Sequence, residues 1–219
     1  GIASSHVRFI LTRVNGSSLL RHHLQVASRS FCKSWYGDDD PVVFKGRGAV
    51  APYVNYIGVG GLRAKAKYRF GAVKKKTSQP SDSIDTIYSM ANAVTLNPDE
   101  VDDARLDALI DRYHCGGYLA INRVVGNWDS YGNSGFHNVF HFVSPTHRAR
   151  VHLHDLDFAY NQNLDPSDPN FLLGFVGLGK FFNSRPLFRR TLWHFLKNLA
   201  EGPLSPEINE AELYGMHSA

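Results

Sequence analysis

The chain has 219 residues, 43% of them hydrophobic and 20% charged, which is enough to bury a sizeable core in one large domain or two small ones. No stretch approaches the apolar length of a membrane span. The formal net charge of +4 is modest and no basic stripe interleaves with aromatics, so nucleic acid is disfavoured as a partner.

Val7 to Val14 (VRFILTRV) is apolar and rich in β-formers, and Asn15-Gly16 follows it as a turn signal. A second extended segment runs from Leu19 to Val26, and a short helix from Arg29 to Trp35. Gly37 and Asp38-Asp39-Asp40-Pro41 read as a loop before a short strand, Val42 to Lys45. The glycine-rich stretch Gly46 to Gly61 reads as irregular. Gly58 to Lys65 (GVGGLRAK) is superficially like a phosphate loop. It completes neither GxGxxG nor GxxxxGK[ST], so a flexible connection is the better reading.

Beyond the triple lysine at 74–76, a solvated loop, the spacing predicts helices. One covers Ser83 to Val94, capped by Asp82 or Ser83. Pro98 suits the first residue of the next, and Val101 to Tyr113 is predicted as one helix. Gly116-Gly117 is predicted to interrupt, with Tyr118 to Val125 continuing as an apolar helix. A polar loop, NWDSYGNSGFHN, precedes two alternating segments, Asn138 to Val143 and Arg148 to Asp157, which predict a β-hairpin about Ser144 to His147. A final helix is predicted over Pro186 to Leu199, with Leu187, Phe188, Leu192, Phe195, Leu196 and Leu199 inward and Glu201-Gly202-Pro203 ending it. Strands followed by helices indicate an α+β fold.

Val151 to Tyr160 (VHLHDLDFAY) carries the chemistry. In a strand, residues 151, 153, 155 and 157 share a face. Val151 and Leu153 then point to the core, as do Asp155 and Asp157, with His152 and His154 opposite. Two carboxylates on a buried face need a cation, a basic partner or backbone N–H groups. A hairpin brings the start of its first strand, and with it Asn138 and the loop of Asp129, beside the end of its second. Carboxylates with an amide oxygen form a hard site for Mg²⁺ or Mn²⁺, with Ca²⁺ also possible, and substrate phosphates can complete the shell. A helix, a loop with Asp and Asn, and a hairpin ending in Asp-Phe is also the order of parts in a protein-kinase C-lobe.

Other chemistry is weaker. Cys32 and Cys115 lack metal-ligand spacing and could be bridged or free, so the compartment stays open. The 11 histidines form no HExxH or comparable set. His114-Cys115 is badly oriented as a nucleophile pair. Trp35, Trp128 and Trp193 read as packing residues, with Trp128 also able to wall the site.

YLAINRVVGNWDSYGNSGFHNVFHF followed by RVHLHDLDFAY resembles the core of the spore-coat protein H (CotH) kinase family: a helix, an N-x-D-s-y loop, H-N-y-y-l-y, and a strand ending W-D-L-D-x-x-F/Y. VRFILTRVNG resembles its strand ending V-N-G, VVFKGRG its L-Y-K-G segment, and RPLFRRTLWHFLKNLAEGPLS its late helix and turn. The resemblance implies an atypical protein-kinase fold, mostly C-lobe over residues 71–219, with a partial, β-rich N-lobe segment over 1–70. It implies a secreted or cell-surface location and ATP- and metal-dependent phosphorylation of protein Ser/Thr. Residue by residue, Asp129 is the loop aspartate acting as base or metal ligand, Asn138 the Asn of H-N, and Asp155 and Asp157 the W-D-L-D aspartates, with His154 in place of Trp. Asp157 is the preferred metal ligand and Asp155 the second. Lys45, Lys65 and Lys67 are the lysines available to phosphates.

The chain also departs from the family. The R-G-N-S-S and K-K-x-y segments fall upstream of Val7, before this sequence, which begins without Met. The family's E-x-v-D-x-x-F falls on residues 25–31, where Glu becomes Gln25 and Asp becomes Ser28. A glutamine cannot make the charged pair with a phosphate-positioning lysine. Three readings follow: a divergent pseudokinase or structural, binding component that keeps a metal site; an active kinase completed by a missing segment or another chain; and a non-kinase metalloprotein such as a hydrolase. The first two imply a protein partner or substrate.

Overall fold

The computed structural model describes residues 7–25, 27–37, 42–46, 73–75, 102–127, 130–131, 138–143, 148–154 and 178–217. The helix predicted over Ser83 to Val94, the phosphate-loop-like stretch and the Ser144 to His147 turn lie outside them. The described residues form a mixed fold of small antiparallel sheets and several helices.

Strands β1 (Val7–Val14) and β2 (Ser17–Leu24) make a two-stranded hairpin with Val14 opposite Ser17. Asn15 and Gly16 take φ of 49° and 82°, the two positive values that a type I′ turn demands. Helix α1 (Arg29–Tyr36) is capped by Ser28, whose side chain accepts from the Phe31 N–H. Strand β3 (Val42–Gly46) lies between β4 (Val73–Lys75) and β5 (Val139–Val143), and β6 (Arg150–Leu153) completes the order β4-β3-β5-β6.

Both faces of this sheet are covered. Phe31 of α1 stacks on Phe142 at 5.8 Å and meets the His152 ring edge at 4.5 Å. Ala27, Phe31, Cys32, Val43, Phe140 and Phe142 form one core cluster there. Helix α3 (Arg112–Val124) packs on the opposite side of β6. The alternation of β6 predicts one buried face, yet Val151, His152 and Leu153 are all buried. Helix α1 covers the second face, which a two-residue period cannot reveal.

The helices correct two predictions. The segment from Val101 to Tyr113 is not one helix. Helix α2 (Asp103–Leu109) stops at Ile110, whose extended backbone forms a parallel bridge with Ala149. Asp111 then caps α3, accepting from the His114 N–H at 3.1 Å. Nor does Gly116-Gly117 interrupt: α3 runs through both. Gly116 serves close approach instead. A Cβ there would meet Phe182 Cε1 and Thr191 Cγ2 at 3.0 Å each.

Those partners come from α4 (Leu178–Ser184) and α5 (Pro186–Ala200), which pack on each other, with α5 also on α3. Phe188, Thr191 and Leu192 are the buried positions of α5, whereas Leu187 is exposed. Thr191 takes an inward place and donates its hydroxyl to the Leu187 carbonyl. Glu201 ends α5, and α6 (Pro206–His217), which the sequence reading lacked, follows. Cys32 and Cys115 are both buried and are not joined in a disulfide. Among the described residues no helix is long and apolar enough to cross a membrane.

Candidate functional site

The C-terminal end of α3 builds a buried polar platform. Gly126 adopts φ 62° just beyond the helix and turns the chain back, with its N–H on the Arg123 carbonyl. The Asn127 N–H then donates to the Asn122 carbonyl, and Asn127 Nδ2 donates to Asn122 Oδ1 at 2.9 Å. Asn122 Nδ2 in turn donates to the Tyr118 carbonyl. The Ser130 hydroxyl donates to the Asn127 carbonyl at 2.7 Å. Asn122, Asn127, Ser130 and Tyr131 are all buried. Three residues of the N-x-D-s-y loop are therefore held from below, on both sides of position 129.

Tyr131 connects this platform to the hairpin, with its ring 5.8 Å from His141 of β5. Burial lowers the His141 pKa to about 3, so the ring is neutral across the physiological range. Burial raises the Tyr118 phenol well above the ordinary tyrosine range, opposed by the Tyr131 backbone N–H. Among the described residues of the platform, Asn122, Asn127, Ser130 and Tyr131 are uncharged, and Arg123 beside them is only 7% exposed.

The hairpin registers Val139 with Leu153 and Phe140 with His152. One step outward, Asn138 comes level with His154, whose ring lies 4.7 Å from that of Phe140. Asn138 has φ 49°, a left-handed conformation that Asn tolerates better than most residues, and it marks where the chain leaves the loop for β5. Lys45 lies in β3, registered with Phe140 of β5 and Lys74 of β4. Asp129, Asp155, Asp157, Lys65 and Lys67 lie outside the described residues. Lys45 is thereby on the strand next to β5, and Asn138 directly precedes β5. Among the described residues no group of three or more His, Cys, Asp or Glu is arranged to hold a metal ion.

A second polar cluster braces the other end of the hairpin. Arg150 of β6 donates from Nε to Asp111 Oδ2 at 3.0 Å and lies 4.6 Å over the Tyr36 ring. His114 stands edge-on to Tyr36 at 5.2 Å, with Nδ1 3.7 Å from Asp111. Burial pushes the Asp111 carboxyl up, but the His114 N–H and Arg150 outweigh it and hold the pKa below the ordinary value. Burial lowers His114, against the pull of Asp111. Asp107 pairs with Arg112 and Arg148, and Asp103 with Arg185. The Asp107 and Asp111 pairs join α2 and α3 to the start of β6, and the Asp103 pair joins α2 to the start of α5.

A family model described as CotH kinase protein matches residues 52–219. The chain belongs to the CotH kinase protein family. The match takes in the platform, the loop, the hairpin and the late helices, while β1, β2, α1 and β3 precede it. No curated protein matches the chain.

Residues 25 and 28 precede the span that matches the CotH model. Ser28 is the N-cap of α1, a position that Asp and Ser fill about equally well. Gln25 lies just after β2. The sequence reading missed Asn122, Arg123 and the Asp111–Arg150 brace. An Asn five residues before the loop Asn, and an Asp three residues before His114, were the available signals.

Proposed function

We infer that this CotH-family chain is a divergent, kinase-fold binding component that retains a divalent-cation site, a pseudokinase rather than a full phosphotransferase. The observation that carries this is the convergence of two rigid supports. The Asn122–Asn127–Ser130 network holds the loop of Asp129 from both sides. The β5–β6 register holds Asn138 level with the residue before Asp155. The donor set is all oxygen: Asp157 first, Asp155 second, the Asn138 amide oxygen, and Asp129 as base or ligand. That chemistry fits Mg²⁺ or Mn²⁺, with Ca²⁺ the larger alternative. When bound, such an ion supplies positive charge against phosphate oxygens.

Nucleotide positioning is where the chain is weakest. Gln25 cannot be the acidic partner of Lys45, Lys65 or Lys67, which favours a binding or structural role with a protein partner. The family places that role at a secreted or cell-surface location.

One observation favours a second reading, an active ATP- and Mg²⁺/Mn²⁺-dependent protein Ser/Thr kinase completed by a further segment or another chain. Ser28 does helix-capping work at the family's Asp position, so that departure costs no chemistry.

The test is thermal melting of the chain with Mn²⁺ or Mg²⁺, with and without ATP. A ligand at about 100 times its Kd stabilises by about 2.7 kcal/mol. The expected result is a metal-dependent rise in Tm that Asp157→Ala abolishes. A further rise with ATP supports the kinase reading. No metal-dependent rise in the unaltered chain would sink the cation site.

A further inference from the structure

The solvent face of α5 is basic and aromatic. At 3.6 residues per turn, Arg189, Arg190, Trp193 and Lys197 fall within about 100° of one another, on the side away from the buried Phe188, Thr191 and Leu192. All four are exposed, Trp193 at 54%. The sequence of α5 contains no carboxylate. Lys197 reaches Glu201 at 3.7 Å, but both are exposed and such a pair is worth little. Among the described residues neither Arg189 nor Arg190 has a carboxylate partner. Trp and Arg are the residue types that dominate binding at protein interfaces.

Helix α6 is the complement. It carries Glu207, Glu210 and Glu212 and no Lys or Arg. Pro206 to Ala211 are all exposed, Ile208 at 44%. Six successive residues pass more than once around a helix, so the first turns of α6 have no buried side. Most helices in proteins are stabilised by a packed apolar face, which this part of α6 lacks within one chain. Trp193 and Ile208 are exposed together, so α5 and α6 of the same chain do not cover each other.

We propose that a second copy of this chain docks here, the basic, aromatic face of α5 in each copy receiving α6 of the other. The contact is reciprocal, so two copies close on a two-fold axis. Glu207 and Glu210 supply the carboxylates that Arg189 and Arg190 lack, and Ile208 covers Trp193. The charges fix partner and orientation, and Trp193 supplies the apolar area.

The test is sedimentation velocity of the whole chain over a range of protein and salt concentrations. The expected result is a concentration-dependent species of twice the monomer mass that weakens as salt rises. Arg189→Glu with Arg190→Glu, and separately Glu207→Lys with Glu210→Lys, are each expected to give a folded monomer. Mixing these two charge-reversed chains is expected to restore a dimer, because each then offers faces opposite in sign to the other's. Trp193→Ser is expected to weaken association about tenfold. A monomer at every concentration, or charge-reversed chains that fail to pair on mixing, would overturn the proposal. A species larger than the dimer would overturn the two-fold closure. A chain that stays monomeric and instead binds vesicles of anionic phospholipid through Trp193 would assign the face to a membrane surface and overturn self-association.

Discussion

Asn127 donates its side-chain amide to the side-chain oxygen of Asn122 at 2.9 Å, and both residues are buried. This bond ties the loop to the helix that precedes it. Asn127→Ala leaves the Asn122 oxygen facing a dry environment, which costs about 1–3 kcal/mol. Denaturant unfolding should show that loss. Hydrogen exchange should show faster opening at residues 127–131 than in β5. Unchanged exchange there would mean that the loop is held by something else.

Gly116 lets α3 meet α4 and α5. Alanine gains about 1 kcal/mol of helix propensity, but it places a methyl 3.0 Å from Phe182 and Thr191. Phe182 is fully buried and stands edge-on to Phe188 at 5.1 Å, so it has little room to yield. Gly116→Ala should therefore be destabilising by about 1–2 kcal/mol, within the usual range for overpacking. A melting temperature equal to or above that of the unaltered chain would show that Phe182 does move.

The histidines make the fold acid-sensitive. In the unfolded chain a histidine takes up a proton near pH 6.5, while His141 in the folded chain resists until about 3. Between those values the unfolded state holds more protons, so stability falls as the pH is lowered from neutrality. His141 alone accounts for roughly 2–3 kcal/mol at pH 4.5. His114 is lowered too and acts in the same direction. The depressed carboxyl of Asp111 adds stability above its unfolded pKa, lost only as pH falls further. His141→Leu should flatten the dependence of Tm on pH between 4.5 and 7. An unchanged slope would assign the acid sensitivity to other groups.

The two departures that the proposed function draws on, Gln25 and Ser28, can be separated experimentally. Ser28→Asp should leave stability within a few tenths of a kcal/mol, and Ser28→Ala should cost about 1 kcal/mol, because position 28 is a cap. Neither should alter nucleotide binding. Gln25→Glu, by contrast, should strengthen metal-dependent ATP binding if an acidic partner for a lysine is the missing element. If Ser28→Asp alone restores binding, the capping account of that position is wrong.

Arg150 is the brace between β6 and α3. Arg150→Met keeps much of its contact with the Tyr36 ring but strands Asp111, and should cost about 1–3 kcal/mol. The expected loss shrinks when Asp111→Asn accompanies it, since asparagine still caps α3.

The strands and turns that local chemistry dictates were legible. Asn15-Gly16 admits little besides a tight hairpin, β5 and β6 alternate, and Ser28 begins a short helix where expected. The order of loop, hairpin and acidic strand end was enough to suggest the family that residues 52–219 match. Asp129, Asn138, Asp155 and Asp157 are proposed from residue type, spacing and the family resemblance, and of these Asn138 lies among the described residues. What the sequence could not disclose depends on partners distant along the chain. Gly116-Gly117 looks like a break, and is a helix interior because α4 and α5 need the space. Ile110 looks like part of a helix, and leaves it because Ala149 offers a bridge and Asp111 a cap. The inward place of His152 depends on Phe31, and the worth of Ser28 on the helix it starts. Periodicity records which face a segment can bury. Only the tertiary structure decides what arrives to cover it, and therefore which polar groups, such as Asn122 and Asn127, come to tie the start of the loop to α3.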